Sequence, residues 1–510
     1  MTIDDDAAYQ VFLAHDARFD GKLFVGVTST GIYCRPICRV RTPSRRNCRF
    51  FATPAQAEAQ AFRPCLKCRP EVAPGPGLPW TVMEASRTLA RQASAWLDTG
   101  LAGGRLPDSS GTIAALSSQL GISDRHLRRI FFVEHGVTPL QYLQTRRLLL
   151  AKQLLTDSQM PIGEIALSSG FRSLRRFNAA FVGGYRMNPS RLRRASIGRS
   201  NARRAPSGIG NSITVTLGYR PPHDHVALLE FVALRAIPGI EAVDGLRIRR
   251  TLRAGAIVEA TGDDVDAPAG WLEACFDPAE SKVRLAFAAS LGPASGAVIA
   301  GVRRWLDLDA APEIIDAALA GLPGAPGLRL PGSIDGFELA VRAVLGQQVS
   351  VACARTLASR LVERFGAEVS TPWLDVSRVF PAPNVLAATP IEGIAELGII
   401  RSRAKAIQAL AGEWPVLARL LVPGGSAELL VERLQALPGI GPWTAHYIAM
   451  RGLGWPDAFP AGDAAALKAM RLLFPKSAGP SADARTEAWR PWRSYALLRL
   501  WNSLSSGVTA

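Results

Sequence analysis

A chain of 510 residues with 48% hydrophobic composition can bury several cores, so three or four domains are expected. The net charge of +16 is unevenly spread: residues 1–210 hold 30 Lys and Arg against 14 Asp and Glu, whereas residues 211–510 hold 29 of each. A basic half joined to a neutral half reads as a nucleic-acid-binding region followed by something else, and no apolar run approaches the ~20 residues of a membrane-spanning helix.

The acidic start MTIDDD has neither a basic nor an apolar leader region, so the protein is expected to be soluble and intracellular. Four cysteines then stand in two short pairs, Cys34 and Cys38 in CRPIC, and Cys65 and Cys68 in CLKC. Two short chelating pairs separated by a linker make a four-thiolate Zn²⁺ site, one ion, far more readily than they make disulfides. Arg35, Arg39, Arg41, Arg45, Arg46, Arg49, Arg63 and Arg69 surround them, and such positive charge points at phosphate as the neighbour. Cys48, Cys275 and Cys353 fall outside the paired pattern and read as reduced cytosolic thiols. The proline and glycine of APGPGLP, Ala73 to Pro79, close this module.

Residues 112–194 carry two similar helical units. In the first, Leu116, Leu120, Ile122, Leu127 and Phe131 supply an apolar stripe, Gly121 the turn and Ser123 an N-cap. In the second, Ile165, Phe171, Phe177, Phe181 and Tyr185 recur at comparable spacing around Gly170. Helix, glycine turn and capped basic helix make a helix-turn-helix, and two copies suit successive major grooves. The polar, basic segment Ile197 to Asn211 reads as a flexible linker.

Beyond residue 213 there is neither a cysteine cluster nor a Walker loop, and around Gly321 to Ser333 a mixed pattern gives way to helical periodicity. In LPGIGPWTAHYIAMRG, Gly439 and Gly441 make a tight hairpin whose backbone amides open onto a helix N-terminus, a site for a DNA phosphate. Further on, Asp463 stands directly before the helical run AAALKAMRLLF, where an N-cap alone would explain it.

These residues carry family resemblances. Residues 1–75, through DGKLFVGVTSTGIYCRPICRVR and the four cysteines, resemble the N-terminal domain of the Ada family; residues 112–194 are similar to an AraC-type DNA-binding domain. From residue 213 the chain resembles the 3-methyladenine DNA glycosylase II (AlkA) family of the helix-hairpin-helix superfamily, through RLPGSIDGFELAVRAVLGQQVSVACA, the hairpin run and WRPWRSYALLRLW. The fold implied is multidomain α+β: a small four-cysteine zinc domain (1–75), an all-α double helix-turn-helix domain (80–196), a mixed α/β domain (213–327) and an all-α helix-hairpin-helix glycosylase domain (328–510).

The Ada resemblance implies that Cys34 takes a methyl group irreversibly from a DNA methylphosphotriester. Cys38, Cys65 and Cys68 would be its fellow ligands, and Thr30, Arg39, Arg41 and Arg63 would touch the DNA backbone. The glycosylase resemblance implies a catalytic Asp463 and a base pocket lined by Trp443, Tyr447 and Trp492. Trp443 takes the position of the Schiff-base lysine of bifunctional relatives, which implies simple base release. Gln348 stands where the family's duplex-intercalating leucine lies.

Together these imply an alkylation-response protein that binds promoter DNA and alkylated double-stranded DNA, has no membrane partner, and works as a monomer in the cytoplasm beside the nucleoid. The alternative is a transcription regulator whose glycosylase-like half only binds DNA.

Overall fold

The computed structural model describes residues 4–75, 85–102, 106, 109–200, 212–257, 267–422, 425–460, 462–474 and 482–505. They fall into two compact units: one holds the described residues up to Pro221 together with 277–300, the other the rest.

In the first unit the chain doubles back at Gly31, whose φ of +63° suits a residue without Cβ. Strands Phe24–Val27 and Ile32–Cys34 therefore pair antiparallel, Val25 opposite Cys34. Cys48–Phe51 adds antiparallel beside Phe24–Val27, and the short strand Arg63–Pro64 runs parallel to Ile32–Cys34. Side chains alternate across this sheet. One set, Phe24, Tyr33 and Phe51, packs with Phe62 and with Ala57 of helix Pro54–Ala59. The other set, Val25 and Cys34, packs with Phe12, Cys38, Cys48, Cys65 and Cys68.

Helices Ser109–Leu120 and Asp124–His135 form the first helix-turn-helix, and Ile162–Ser168 and Leu174–Tyr185 the second. Gly121 and Gly170 turn with φ of +67° and +77°. Ser123 and Ser173 cap the second helix of each pair, accepting from the N–H groups of His126 and Arg176 at 3.3 and 3.2 Å. Between the pairs runs the long helix Pro139–Asp157, opened by a capping box of Thr138 and Gln141. Its buried residues, among them Leu143, Thr145, Leu148, Lys152 and Leu155, do not keep to one stripe, because neighbours pack on several sides.

The linker expected from Ile197 begins later. Helix Pro189–Ser200 runs through it, since the single Gly198 costs a helix only ~1 kcal/mol. Residues 201–211, like residues 76–79 of the proline-rich stretch, lie outside the described residues. Strands Ser212–Gly218 and Lys282–Ala288 pair antiparallel, and Gln153 Nε2 ties the former to the long helix by donating to Thr216 O at 2.9 Å.

In the second unit Glu241–Asp244, Arg247–Arg253 and Ala269–Asp277 make an antiparallel meander. Buried Arg250 bridges it to helix Gly336–Leu345 through Glu241 at 3.1 Å and Glu338 at 2.6 Å. Helices Gly336–Leu345, Arg401–Leu420, Ala427–Gln435 and Pro442–Leu453 close around Phe337, Val344, Leu410, Trp414 and Ile448. From Gly301 onward the described residues of this unit hold helices and isolated bridges but no longer strand, so the helical run starts before the change of pattern at Gly321. No helix among the described residues is long and apolar enough to cross a membrane.

Candidate functional site

Strand alternation sends Cys34 to the face opposite Tyr33. Cys38 follows a turn in which its N–H donates to Arg35 O at 3.2 Å, and the N–H of Cys65 is fixed to Tyr33 O at 3.0 Å. The Sγ atoms of Cys34, Cys38, Cys65 and Cys68 all lie within 4.8 Å of one another. Zn²⁺ with four bonds of ~2.3 Å spaces its sulfurs ~3.8 Å apart, so the cluster has the size such an ion needs. The thiols share their protons unevenly: hydrogen bonding with Cys38 pushes Cys34 up, and hydrogen bonding with Cys34 holds Cys65 down. A bound cation lets all four ionise together. The N–H groups of Arg35 and Lys67 donate to the sulfurs of Cys68 and Cys65 at 3.3 and 3.4 Å, steadying that charge. Cys48 is buried beside the cluster and donates its S–H to Ser44 O at 3.6 Å.

The eight arginines expected around the thiolates divide. Arg35 is buried against Asp20; Arg69 pairs with Glu71 at 3.0 Å and Asp157 at 2.6 Å; Arg45 pairs with Asp6 at 2.8 Å. Apart from Glu71, two residues from Arg69, the carboxylates that neutralise these three lie far away in sequence, where local charge counting cannot see them. Arg39, Arg41, Arg46 and Arg49 are exposed and Arg63 is half-buried. Thr30 lies exposed on the hairpin turn, and the Arg63 N–H donates to the neighbouring Gly31 O at 2.9 Å, bringing these two positions together.

In the second unit, the turn between helices Ala427–Gln435 and Pro442–Leu453 passes through Gly439 with φ of +79°. Gly441, the N-cap, offers no side chain to the amides that follow, so this helix N-terminus stays open to an external anion. Gln347 Nε2 donates to Gly439 O at 2.9 Å and to Thr444 Oγ1 at 3.0 Å, bracing the turn. Its neighbour Gln348 is exposed, with a φ of +52° that is unusual for a residue with a Cβ.

Asp463 caps helix Ala464–Leu473, Oδ1 accepting from the Ala466 N–H at 2.7 Å. It does more than cap. Oδ1 also accepts from Trp501 Nε1 at 3.0 Å, and Oδ2 from Trp443 Nε1 at 2.8 Å. Three N–H donors from three helical segments thus fix the carboxylate, which is 7% exposed. The Trp443 ring stacks on Tyr447 with centroids 5.1 Å apart and planes 9° from parallel, and Trp501 stands 6.5 Å from Tyr447. Arg451 donates to Tyr447 Oη at 2.9 Å. Burial alone would push the Tyr447 hydroxyl up, but Arg451, Arg235 and Arg342 hold it below its ordinary value. The result is an anion set against an aromatic wall, an environment for a flat, positively charged group.

A probable bifunctional transcriptional activator/DNA repair enzyme AlkA from Mycobacterium tuberculosis is 35% identical over all of this chain and 98% of its own length. The chain belongs to that family. Four family models match along it: the metal binding domain of Ada over residues 7–71, a helix-turn-helix domain over 116–195, the AlkA N-terminal domain over 214–335 and the HhH-GPD superfamily base excision DNA repair protein over 341–494. The DNA-3-methyladenine glycosylase 2 of Escherichia coli is 35% identical over 56% of this chain and 96% of its own. The solved 3-methyladenine DNA glycosylase of Archaeoglobus fulgidus is 23% identical, covering 58% of this chain and 99% of its own, with a TM-score of 0.47.

For a member of the AlkA family, the structure brings Trp443, Tyr447 and Asp463 together, whereas Trp492 lies in the helical core, edge-on to Tyr495 at 6.0 Å. The second indole at Asp463 is Trp501, which the sequence reading did not single out. Its signal was faint. Trp501 is the third tryptophan of WRPWRSYALLRLW, and its helix, Arg493–Ser505, begins just past Trp492 and so separates the two rings.

Proposed function

We propose that the chain couples two activities: a methyl-accepting transcriptional activator in its first half and a monofunctional DNA glycosylase in its second. The observation that carries the second activity is the Asp463 carboxylate held by Trp443 and Trp501 beside the Trp443–Tyr447 stack.

Alkylation at purine N3 or N7 leaves a cationic base, which the aromatic wall attracts and which departs readily. When the C1′–N bond breaks, its electron pair goes to the base nitrogen and neutralises it. The positive charge left on the sugar is offset by Asp463, and water adds at C1′ while giving its proton to that carboxylate. The open amides after Gly441 hold a backbone phosphate, and Gln348, at the wedge position, stands toward the duplex. A glutamine fills a vacated stack less well than an apolar side chain.

In the first half, the Cys34 thiolate attacks the methyl carbon of a phosphotriester. The methyl–oxygen bond breaks, and its electrons restore the phosphodiester anion. One Zn²⁺ held by Cys34, Cys38, Cys65 and Cys68 supplies the charge that keeps the thiolates deprotonated. Thr30, Arg39, Arg41 and Arg63 position the DNA backbone. Promoter DNA is the partner of the two helix-turn-helix units, and the chain acts as a cytoplasmic, nucleoid-associated monomer.

The test is direct. Purified protein incubated with methylated DNA should release free 3-methyladenine and gain a single methyl group on Cys34 by mass spectrometry. No base release overturns the glycosylase reading; no adduct, or one confined to Cys48, overturns the methyl-acceptor reading.

A further inference from the structure

Three polar ties cross from the cysteine module to the long helix that joins the two helix-turn-helix pairs. Thr145 Oγ1 donates to Glu58 Oε2 at 2.8 Å, Lys152 pairs with Glu71, and Arg69 pairs with Asp157 at 2.6 Å. Lys152 and Glu71 are each only 1% exposed. Glu71 also accepts from Arg69 Nε at 3.0 Å, while Asp157 Oδ2 accepts from the Thr216 N–H at 3.0 Å. Arg69 thus joins the second and third ties into one network, and the Thr145–Glu58 tie runs beside it, with Glu58 in the field of Lys152.

On the module side the network starts at the cluster. Arg69 directly follows Cys68. Tyr33 directly precedes Cys34, and its hydroxyl donates to Glu58 Oε1 at 3.0 Å. On the other side it reaches a recognition helix: the buried hydroxyl of Tyr185, the last residue of Leu174–Tyr185, lies in the field of Glu58 and Glu71 and has no hydrogen-bond partner among the described residues.

Holding two modules together does not require such groups. A buried ion pair loses in desolvation much of what it gains in attraction, and apolar side chains of the same volume would serve as well. What the network adds is a single permitted geometry. If Cys34 moves, Tyr33 moves with it, and Glu58 must either follow or release Thr145.

We propose that this buried network is the mechanical link by which methylation of Cys34 changes the DNA affinity of the helix-turn-helix pairs. The inference rests on the methyl-acceptor reading above. Converting a thiolate to a thioether removes one negative charge and loosens its hold on the metal site. Strand Ile32–Cys34 relaxes, and the two-state element is the docking of the module on helix Pro139–Asp157.

The test uses the full chain with Thr145→Val, Glu71→Gln and Lys152→Met combined, so that no lone charge is left buried. Zinc content, methyl uptake at Cys34 and affinity before and after methylation are measured on a duplex selected from random sequence by the methylated wild-type chain. Methylation should tighten wild-type binding by a factor in the range of about 5–150 typical of site–site coupling. In the variant this factor should fall to within about twofold, with zinc content and methyl uptake unchanged. A variant that keeps the wild-type factor overturns the link and leaves simple relief of charge repulsion as the cause. A wild-type chain that takes up methyl but gains no affinity overturns the activator reading and the link with it. Should the triple variant lose zinc, Thr145→Val alone, which preserves every charge, is read instead: a reduced factor supports the link and an unchanged one overturns it.

Discussion

At Asp463 the two indoles change what substitution by asparagine should do. A capping aspartate replaced by Asn keeps an oxygen for the Ala466 N–H. Here the second carboxylate oxygen also accepts, from Trp443, and an amide NH₂ there would meet the indole donor to donor. Asp463→Asn should therefore cost ~1–3 kcal/mol of stability for the unpaired buried donor. It should also lower base release by about 100-fold or more, through loss of the charge opposite the sugar cation. Methyl uptake at Cys34 should be unchanged. A thermal melt combined with a 3-methyladenine release assay checks all three. Glu58 gives a pH prediction. Burial pushes its carboxyl up from 4.5 to about 7, against the hydrogen bonds from Thr145 and Tyr33 and the charge of Lys152. Because the folded state holds this proton more tightly, the stability it contributes is complete below about pH 4.5 and is lost as pH rises through about 7, by at most ~3 kcal/mol. Glu58→Gln, whose amide can donate to a reoriented Thr145 hydroxyl, should melt higher than wild type at pH 8 and flatten the fall in melting temperature between pH 5 and pH 8. Equal slopes for both chains would count against it.

Among elements, the hairpin of the second unit was the most legible in the sequence, because Gly439 and Gly441 carry its geometry in their own backbone. Gly439 has φ of +79°, and a Cβ there would lie 3.0 Å from the Cβ of Ala406. Gly439→Ala should cost ~1–2 kcal/mol and raise KM for methylated DNA more than it lowers kcat, since the proposal gives the turn a backbone phosphate and not the reacting atoms. Unaltered KM would disconnect the turn from DNA binding. The helix-turn-helix pairs came next, since Gly121, Gly170, Ser123 and the aromatic rows are local signals. The long helix was less so. Its Lys152 and Gln153 carry no local signal of burial, and nothing within Pro139–Asp157 announces that Glu71, 81 positions away, covers the lysine. Trp501 escaped for the same reason, because its contact joins residues 38 apart across two helices.

For the whole molecule, the charge asymmetry was visible in composition and the four-part plan came from the family resemblances, whereas the pairing of Arg35, Arg45 and Arg69 with Asp20, Asp6 and Asp157 was not visible, because it needs the tertiary fold. The division into two units leads to a prediction about metal removal. Without a cation the four clustered sulfurs cannot ionise together, so a strong chelator should abolish methyl uptake and lower the melting temperature of the first unit. Base release, assigned by the proposal to Asp463 in the second unit, should persist at the untreated rate. Loss of base release on chelation, restored by added zinc, would show that the two activities share a folding requirement.

The burial of Lys152 and Glu71 also bears on how such a chain can be inherited. Loss of Glu71 alone leaves Lys152 a bare charge in the interior at a cost of ~3–5 kcal/mol, whereas loss of Lys152 leaves Glu71 its bond from Arg69, so a lineage that gives up Glu71 first passes through a weakened ancestor. Lys152 should therefore be exchanged before Glu71 or together with it, and never after it. A cysteine module transplanted from another gene would arrive with its own residue at the place of Glu71, and recombination at the chain ends does nothing to match it to Lys152. Splicing such genes can join their reading frames in one event, but fitting their interiors takes at least two.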